Sequence, residues 1–164
     1  MQKLKIGCLQ PIKRQLASVP ARVWSIYFVI YLTTGTLLQG TASLHQIAKF
    51  ARDWQVLTIY GCYLIPLSIL VRNRIWYEQY AYSLVAIAPL ELIGYSMQTS
   101  VAFPNNIFDV IFGIRNFTLA FALLAAWIPY CGNMFVLRLD RIVLGVLQRW
   151  KKSSAINVRQ PLQL

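Results

Sequence analysis

The chain is poor in acid and in the side chains that usually do chemistry. Five Asp and Glu stand against sixteen Lys and Arg in 164 residues, and His45 is the only histidine. Five scattered carboxylates leave no pair at catalytic spacing within one segment, which removes two-carboxylate acid–base mechanisms. One histidine rules out bis-histidine haem ligation by this chain alone, and a lone surface His reads first as a polar residue. Cys8, Cys62 and Cys131 form no CxxC pair. Four-helix membrane thiol oxidoreductases have about this length, but they need one sulfur to attack and a second to resolve. Cys62 and Cys131 fall in apolar runs and read as small core hydrophobes. No GxSxG elbow, HExxH helix or phosphate-binding loop occurs, and there is no internal repeat. No catalytic residue, metal ligand or cofactor is therefore expected.

Charge of either sign is also sparse. Only 13% of residues are charged and 57% are apolar, where a soluble domain has about 25% charged. The mean hydropathy is +0.51. The charges gather between apolar runs of about 18 residues or more, long enough to cross hydrocarbon. A net charge of +11 could point to nucleic acid. Yet Lys and Arg sit mostly at the two ends and in one short connection, with no basic face interleaved with aromatics. No nucleic-acid partner is expected; the lipid bilayer is.

Residues 1–22 carry Lys3, Lys5, Lys13, Arg14 and Arg22 with no acid, and Pro11 and Pro20 keep any helix there short. A first span follows over 23–44. Its centre, Ile26 to Leu38, and the small residues Gly40 and Ala42 also resemble a signal-peptide core with a cleavage site. The leader is long for that, so a retained span is the reading. Leu44, Ile47, Ala48, Ala51 and Trp54 recur at helical spacing opposite His45, Lys49 and Arg52, which predicts an interfacial helix.

The second span is 56–71, containing Pro66, and Arg72, Asn73, Arg74, Trp76, Tyr77 and Glu78 make a polar turn after it. The third is 80–98, with Pro89 near its middle. Asn105 and Asn106 are good helix caps and Asp109 suits a first turn, so the fourth span is placed at 107–129. After Gly132, Leu139, Ile142, Val143, Val146, Leu147 and Trp150 share one side. Arg138, Arg141, Gln148, Arg149 and Lys152 share the other. This predicts an amphipathic surface helix over 133–152, ahead of a polar tail at 153–164. The expected fold is all-α: an integral membrane four-helix bundle with interfacial amphipathic helices.

Orientation follows from a count. Thirteen of the sixteen basic residues fall in the leader, the 72–74 turn and the C-terminal segment, leaving Lys49, Arg52 and Arg115. Basic segments stay on the cytoplasmic side during insertion, so both termini are expected in the cytoplasm, at the inner membrane in a bacterium. Trp24, Trp76 and Trp127 would then anchor the inner interface, Trp54 the outer one, and Trp150 the surface helix.

Inside the membrane, Glu91 stands out. An ionisable group at that depth costs a few kcal/mol, and the six Leu, Val and Ile around it return about 3 kcal/mol together. The third span is marginal alone and needs a partner. Arg115 lies at a matching depth under the 107–129 register. Tyr95 and Gln98 share the face of Glu91, while Asn116 and Thr118 cluster with Arg115. These six residues form the candidate ligand or ion site; a buried ion pair fixing helix register is the alternative role for Glu91 and Arg115. The expected function is that of a non-enzymatic accessory or assembly subunit, partnered by other membrane subunits or further copies of itself. The alternative is a small carrier or channel for an ion or small solute.

Overall fold

Proline sets the first boundaries. In a computed structural model, which describes residues 9–44, 50, 52–98 and 114–157, every regular element is a helix. Leu9, 114–118 and 151–157 are described by backbone alone. Pro11 falls in the first turn of α1 (Leu9–Ala17), where its missing N–H costs nothing. Pro20 ends the link to α2 (Ala21–Leu44), and its carbonyl accepts the Val23 N–H at 2.9 Å. The leader is therefore partly built into the fold. Leu16 and Val19 pack on the core, and Gln15 Nε2 donates to the Leu70 carbonyl at 2.7 Å. That carbonyl belongs to the last turn of the next long helix, where the backbone ladder leaves acceptors open.

That helix, α3 (Asp53–Val71), starts earlier than the hydropathy pattern suggested. Gln55 Oε1 accepts the Arg52 N–H at 2.9 Å, and Asp53 in the first turn complements the helix dipole. Its middle, Leu57–Leu64, is wound as π-helix, returning to α-helix at Ile65. Pro66 accounts for the disturbance: it lacks an N–H and crowds the carbonyl one turn earlier, which the wider π turn relieves.

A tight turn leads into α4 (Trp76–Ser96), which carries Pro89 inside. Next described is α5 (Ile114–Ala125), then α6 (Trp127–Asn157). The break at Ala126 lies three residues before Pro129, whose missing N–H leaves the Ala125 carbonyl without its helical donor. Otherwise α5 and α6 form one traverse. The expected boundary at Gly132 is not a break, since α6 runs through it without interruption.

Successive legs are antiparallel. Tyr27 meets Asn133, Arg22 meets Asp140, Tyr63 Oη donates to the Ala86 carbonyl, and Tyr80 Oη donates to the Leu123 carbonyl. The start of α2, the end of α3 and the start of α4 thus share one end, which α6 passes at Asp140. Arg22, Arg72 and Arg74 gather there, so it is the basic end.

Glycine lets the helices approach. Tyr60 lies over Gly35, where a Cβ would sit 2.8 Å from its ring, and Tyr31 lies over Gly132, where a Cβ would overlap its hydroxyl. Small residues play this part wherever helices pack in lipid, because burial of apolar surface no longer discriminates. Outward faces carry Val29, Leu37, Val85, Leu124 and Phe135, all well exposed. Cys62 and Cys131 also face outward, correcting the reading that placed them in the core. A lipid-facing surface is as apolar as a core, so an apolar run does not say which way a thiol points.

Among the described residues three helical stretches are long and apolar enough to cross a membrane: Ala21–Leu44, Asp53–Val71 and Leu119–Trp150. With 21 residues α4 has the length, about 31 Å, but not the apolarity. Its buried residues explain why: Gln79, Ser83, Ile87 and Glu91 recur every four positions, making a largely polar inward face.

Candidate functional site

The candidate site begins with Glu91, the outermost of those four. It is 9% exposed and lines a cleft of about 200 Å³ between α3 and α4, together with Phe50, Trp54, Gln55, Thr58, Ile59, Leu90 and Gly94. Phe50, Ile59, Leu90 and Glu91 also border a smaller void of about 30 Å³ beneath it, closed by Tyr60, Tyr63 and Leu64. Glu91 therefore sits at a neck. Gln39 shapes the rim from α2: its Oε1 accepts the Phe50 N–H and its Nε2 donates to the Phe50 carbonyl, both at 3.0 Å. A buried carboxylate walled by Phe50 and Trp54 can take a cation or a proton.

Of the other sequence-predicted site residues, Tyr95 is half-buried one turn beyond Glu91. Gln98 is exposed and lies past the end of α4, in the left-handed region at φ 59°. Such a residue commonly terminates a helix. The side chains of Arg115, Asn116 and Thr118 lie outside the described residues, as do residues 107–113, where the fourth span was expected to begin. Backbone register bears on the pairing all the same. The Tyr80–Leu123 bond and the stacked Trp76 and Trp127 rings, 6.3 Å apart, align α4 with α5. The Arg115 backbone then falls within about one helical turn of the level of Glu91.

The expected anchors divide. Trp76 and Trp127 belong to one aromatic cluster with Tyr80, whose ring is 4.7 Å from that of Trp127. Trp24 is half-buried against Phe28, with Trp54 exposed beside the outer cleft. Trp150 is 72% exposed and lies ten residues beyond Asp140. His45, Lys49 and Cys8 lie outside the described residues, as does half of the expected interfacial helix over 44–55.

A second constellation was not expected. Asn133 is 2% exposed and joins three other legs. Its Oδ1 accepts from Tyr27 Oη at 2.6 Å, and its Nδ2 donates to the Ser68 carbonyl at 3.0 Å and to Gln79 Oε1 at 2.8 Å. Gln79 Nε2 in turn donates to the Arg74 carbonyl at 2.7 Å. Beside it, Ser68 Oγ donates to the Leu64 carbonyl at 2.7 Å and shares a 2.6 Å hydrogen bond with Tyr31 Oη, which also lies 3.3 Å from the Ile128 carbonyl. Arg22 and Asp140 close the basic end with a 2.8 Å ion pair.

Among the described residues, each buried side-chain polar atom of this network has at least one partner within the protein. The role of these groups is to lock α2, α3, α4 and α6 together. Ser83, fully buried and without a hydrogen-bond partner, lies between this network and Ile87 on the inward face of α4. Buried Ile87 separates it from Glu91, so the polar residues of this face of α4 do not form an unbroken track from the cleft to the basic end. One signal in sequence pointed here: Gln79, Ser83 and Glu91 at multiples of four.

Among the described residues no three His, Cys, Asp or Glu come together as metal ligands do. No protein-family model, curated protein or solved structure matches the chain.

Proposed function

We propose that the chain is an integral membrane protein that crosses the bilayer four times, with α4 as the additional span and both termini in the cytoplasm. It serves as a non-enzymatic accessory or assembly subunit of a larger membrane complex. The low apolarity of α4 is compatible with a spanning role once the direction of its polar groups is considered. Its Gln79, Ser83 and Glu91 face inward, and Val85, Leu92 and Ile93 are exposed on the outside. A span needs an apolar surface only where it meets lipid.

The observation carrying the subunit reading is the far half of α6. From Asp140 to Asn157 the helix extends about 25 Å past the basic end. Ile142, Val146, Leu147 and Trp150 are exposed along it. A soluble helix with such a stripe buries it against something. Purification from native membranes in mild detergent, followed by mass measurement of the intact assembly, tests the proposal. A stoichiometric chain of different sequence supports it; monomer alone refutes it. Reporter fusions at Lys152 and Ala48 test the topology, and an external signal at Lys152 would overturn the four-span arrangement.

The second reading, a small carrier or channel for an ion or small solute, draws on the Glu91 cleft. The break at Ile87 weighs against a conducting path within one protomer. A homo-oligomer with no other chain, together with cation-dependent quenching of Trp54 fluorescence, would favour it.

A further inference from the structure

We infer that the projecting half of α6 is a docking helix for an acidic amphipathic helix of the partner protein, an inference resting on the subunit reading above. Leu139, Ile142, Val143, Val146, Leu147 and Trp150 recur at spacings of three and four along three turns. Five of these, all but half-buried Val143, are more than 40% exposed. A stripe of that width and period fits one helix laid alongside. Trp150, at 72% exposure, offers the large aromatic anchor on which such interfaces turn.

Three occupants can cover an apolar stripe on a membrane protein: lipid, a second copy, or another protein. Lipid-binding amphipathic helices lie in the plane of the interface. Here α6 is unbroken from Trp127 to Asn157. Its first half packs antiparallel to α2 inside the bundle, so its second half leaves along the same line. Two copies packed stripe to stripe would bring Arg138 and Arg149, the basic residues at the edge of the stripe, close to their counterparts, and like charges across an interface oppose pairing. The sequence adds Lys151 and Lys152 and has no acid after Asp140. Asp140 is itself held by Arg22. Basic flanks around an apolar stripe call for acidic flanks around a complementary one.

The test places the photo-crosslinking residue p-benzoylphenylalanine at Val146 in the full chain, in membranes of the native host. The expected product is one discrete adduct with a protein of different sequence. Its yield should fall about fivefold with Arg138→Glu and Arg149→Glu together, and should persist with Lys at the same positions. Raised salt should lower the yield without any substitution, which keeps the test valid if the reversed chain folds poorly. The same probe at Phe135, on the outward face within the bundle, should give lipid adducts throughout. An adduct at twice the chain mass, a lipid adduct alone at Val146, or a protein adduct indifferent to charge and salt would each overturn the inference. If a foreign chain co-purifies but Val146 captures none, the docking helix is refuted and the subunit reading stands. If no foreign chain co-purifies, the subunit reading falls first.

Discussion

Asn133 offers the sharpest test of how the bundle is held. Asn133→Ala removes one hydrogen bond received from Tyr27 and two donated, to Ser68 and Gln79. Interhelical hydrogen bonds in lipid average about 0.6 kcal/mol, so three lost bonds amount to about 2 kcal/mol. The truncation also strands Tyr27 Oη and Gln79 Oε1 in a buried site, and an unsatisfied buried group costs about 1–3 kcal/mol. A loss of about 2–4 kcal/mol is therefore expected, and its lower end alone shifts the unfolding equilibrium about thirtyfold. Tyr27→Phe removes one of the three bonds and should cost less, about 0.6–1.7 kcal/mol.

The diagnostic variant replaces Tyr27 with Phe, Gln79 with Leu and Asn133 with Leu together. Removing every member of a polar network can be nearly neutral where removing one is not. The triple variant should thus be more stable than Asn133→Ala. Equilibrium unfolding of the purified protein, by titrating a denaturing detergent into mixed micelles, measures all three. If Asn133→Ala costs no more than Leu139→Ala on the exposed stripe, or if the triple loss equals the sum of its singles, the network does not lock the helices.

Two further outcomes follow from the packing and from the outer cleft. Gly132→Ala should destabilise by about 1–3 kcal/mol, because its Cβ overlaps the Tyr31 hydroxyl. Tyr31→Phe in the same chain should recover part of that, while Gly40→Ala, with open space around it, should be neutral or mildly stabilising in the same titration. For Glu91, removing one member of a buried ion pair typically costs about 3–5 kcal/mol. Glu91→Gln or Arg115→Met alone should lower folded yield, read as the monodisperse fraction after extraction, and Glu91→Leu with Arg115→Met should restore it. Full yield from Glu91→Leu alone would refute a structural pairing.

The long helices were legible in sequence because an apolar run of span length has few other uses. The first expected span, 23–44, closely matches Ala21–Leu44. Helix starts were less legible where a local device extended them. Gln55 reaches back to Arg52 at α3, and at α4 Trp76 and Tyr77 continue the helix into the aromatic cluster. Gly132 misled most. A glycine after an apolar run reads as a stop, yet in a packed helix it is equally a notch for a neighbour. Only the position of Tyr31, a hundred residues away in the chain, distinguishes the two.

The inward faces were harder to read, for a reason specific to lipid. Both sides of a spanning helix can be apolar, so hydrophobicity does not say which side is buried. Cys62 and Cys131 were assigned inward on that ground and point outward. Small and polar residues carry the information instead. A polar group facing hydrocarbon is costly, and a small one facing it gains nothing from close packing. Gly35, Gly61, Ser68, Ser83, Gln79, Glu91, Gly132 and Asn133 are all buried, whereas Gly40 is exposed and the exposed Thr36 and Thr58 give their hydroxyl protons to carbonyls of their own helices. On α6, Gly132 and Asn133 are buried and Asp140, paired with Arg22, is half-buried, whereas Gly145 has open space where a Cβ would stand. Past Asp140 the helix has no further buried residue through Trp150, while its apolar stripe continues for a little over two turns, from Ile142 to Trp150. Among the described residues the packed bundle therefore ends at Asp140, and beyond it none of them buries the stripe, though Val143 and Gly145 are half-buried.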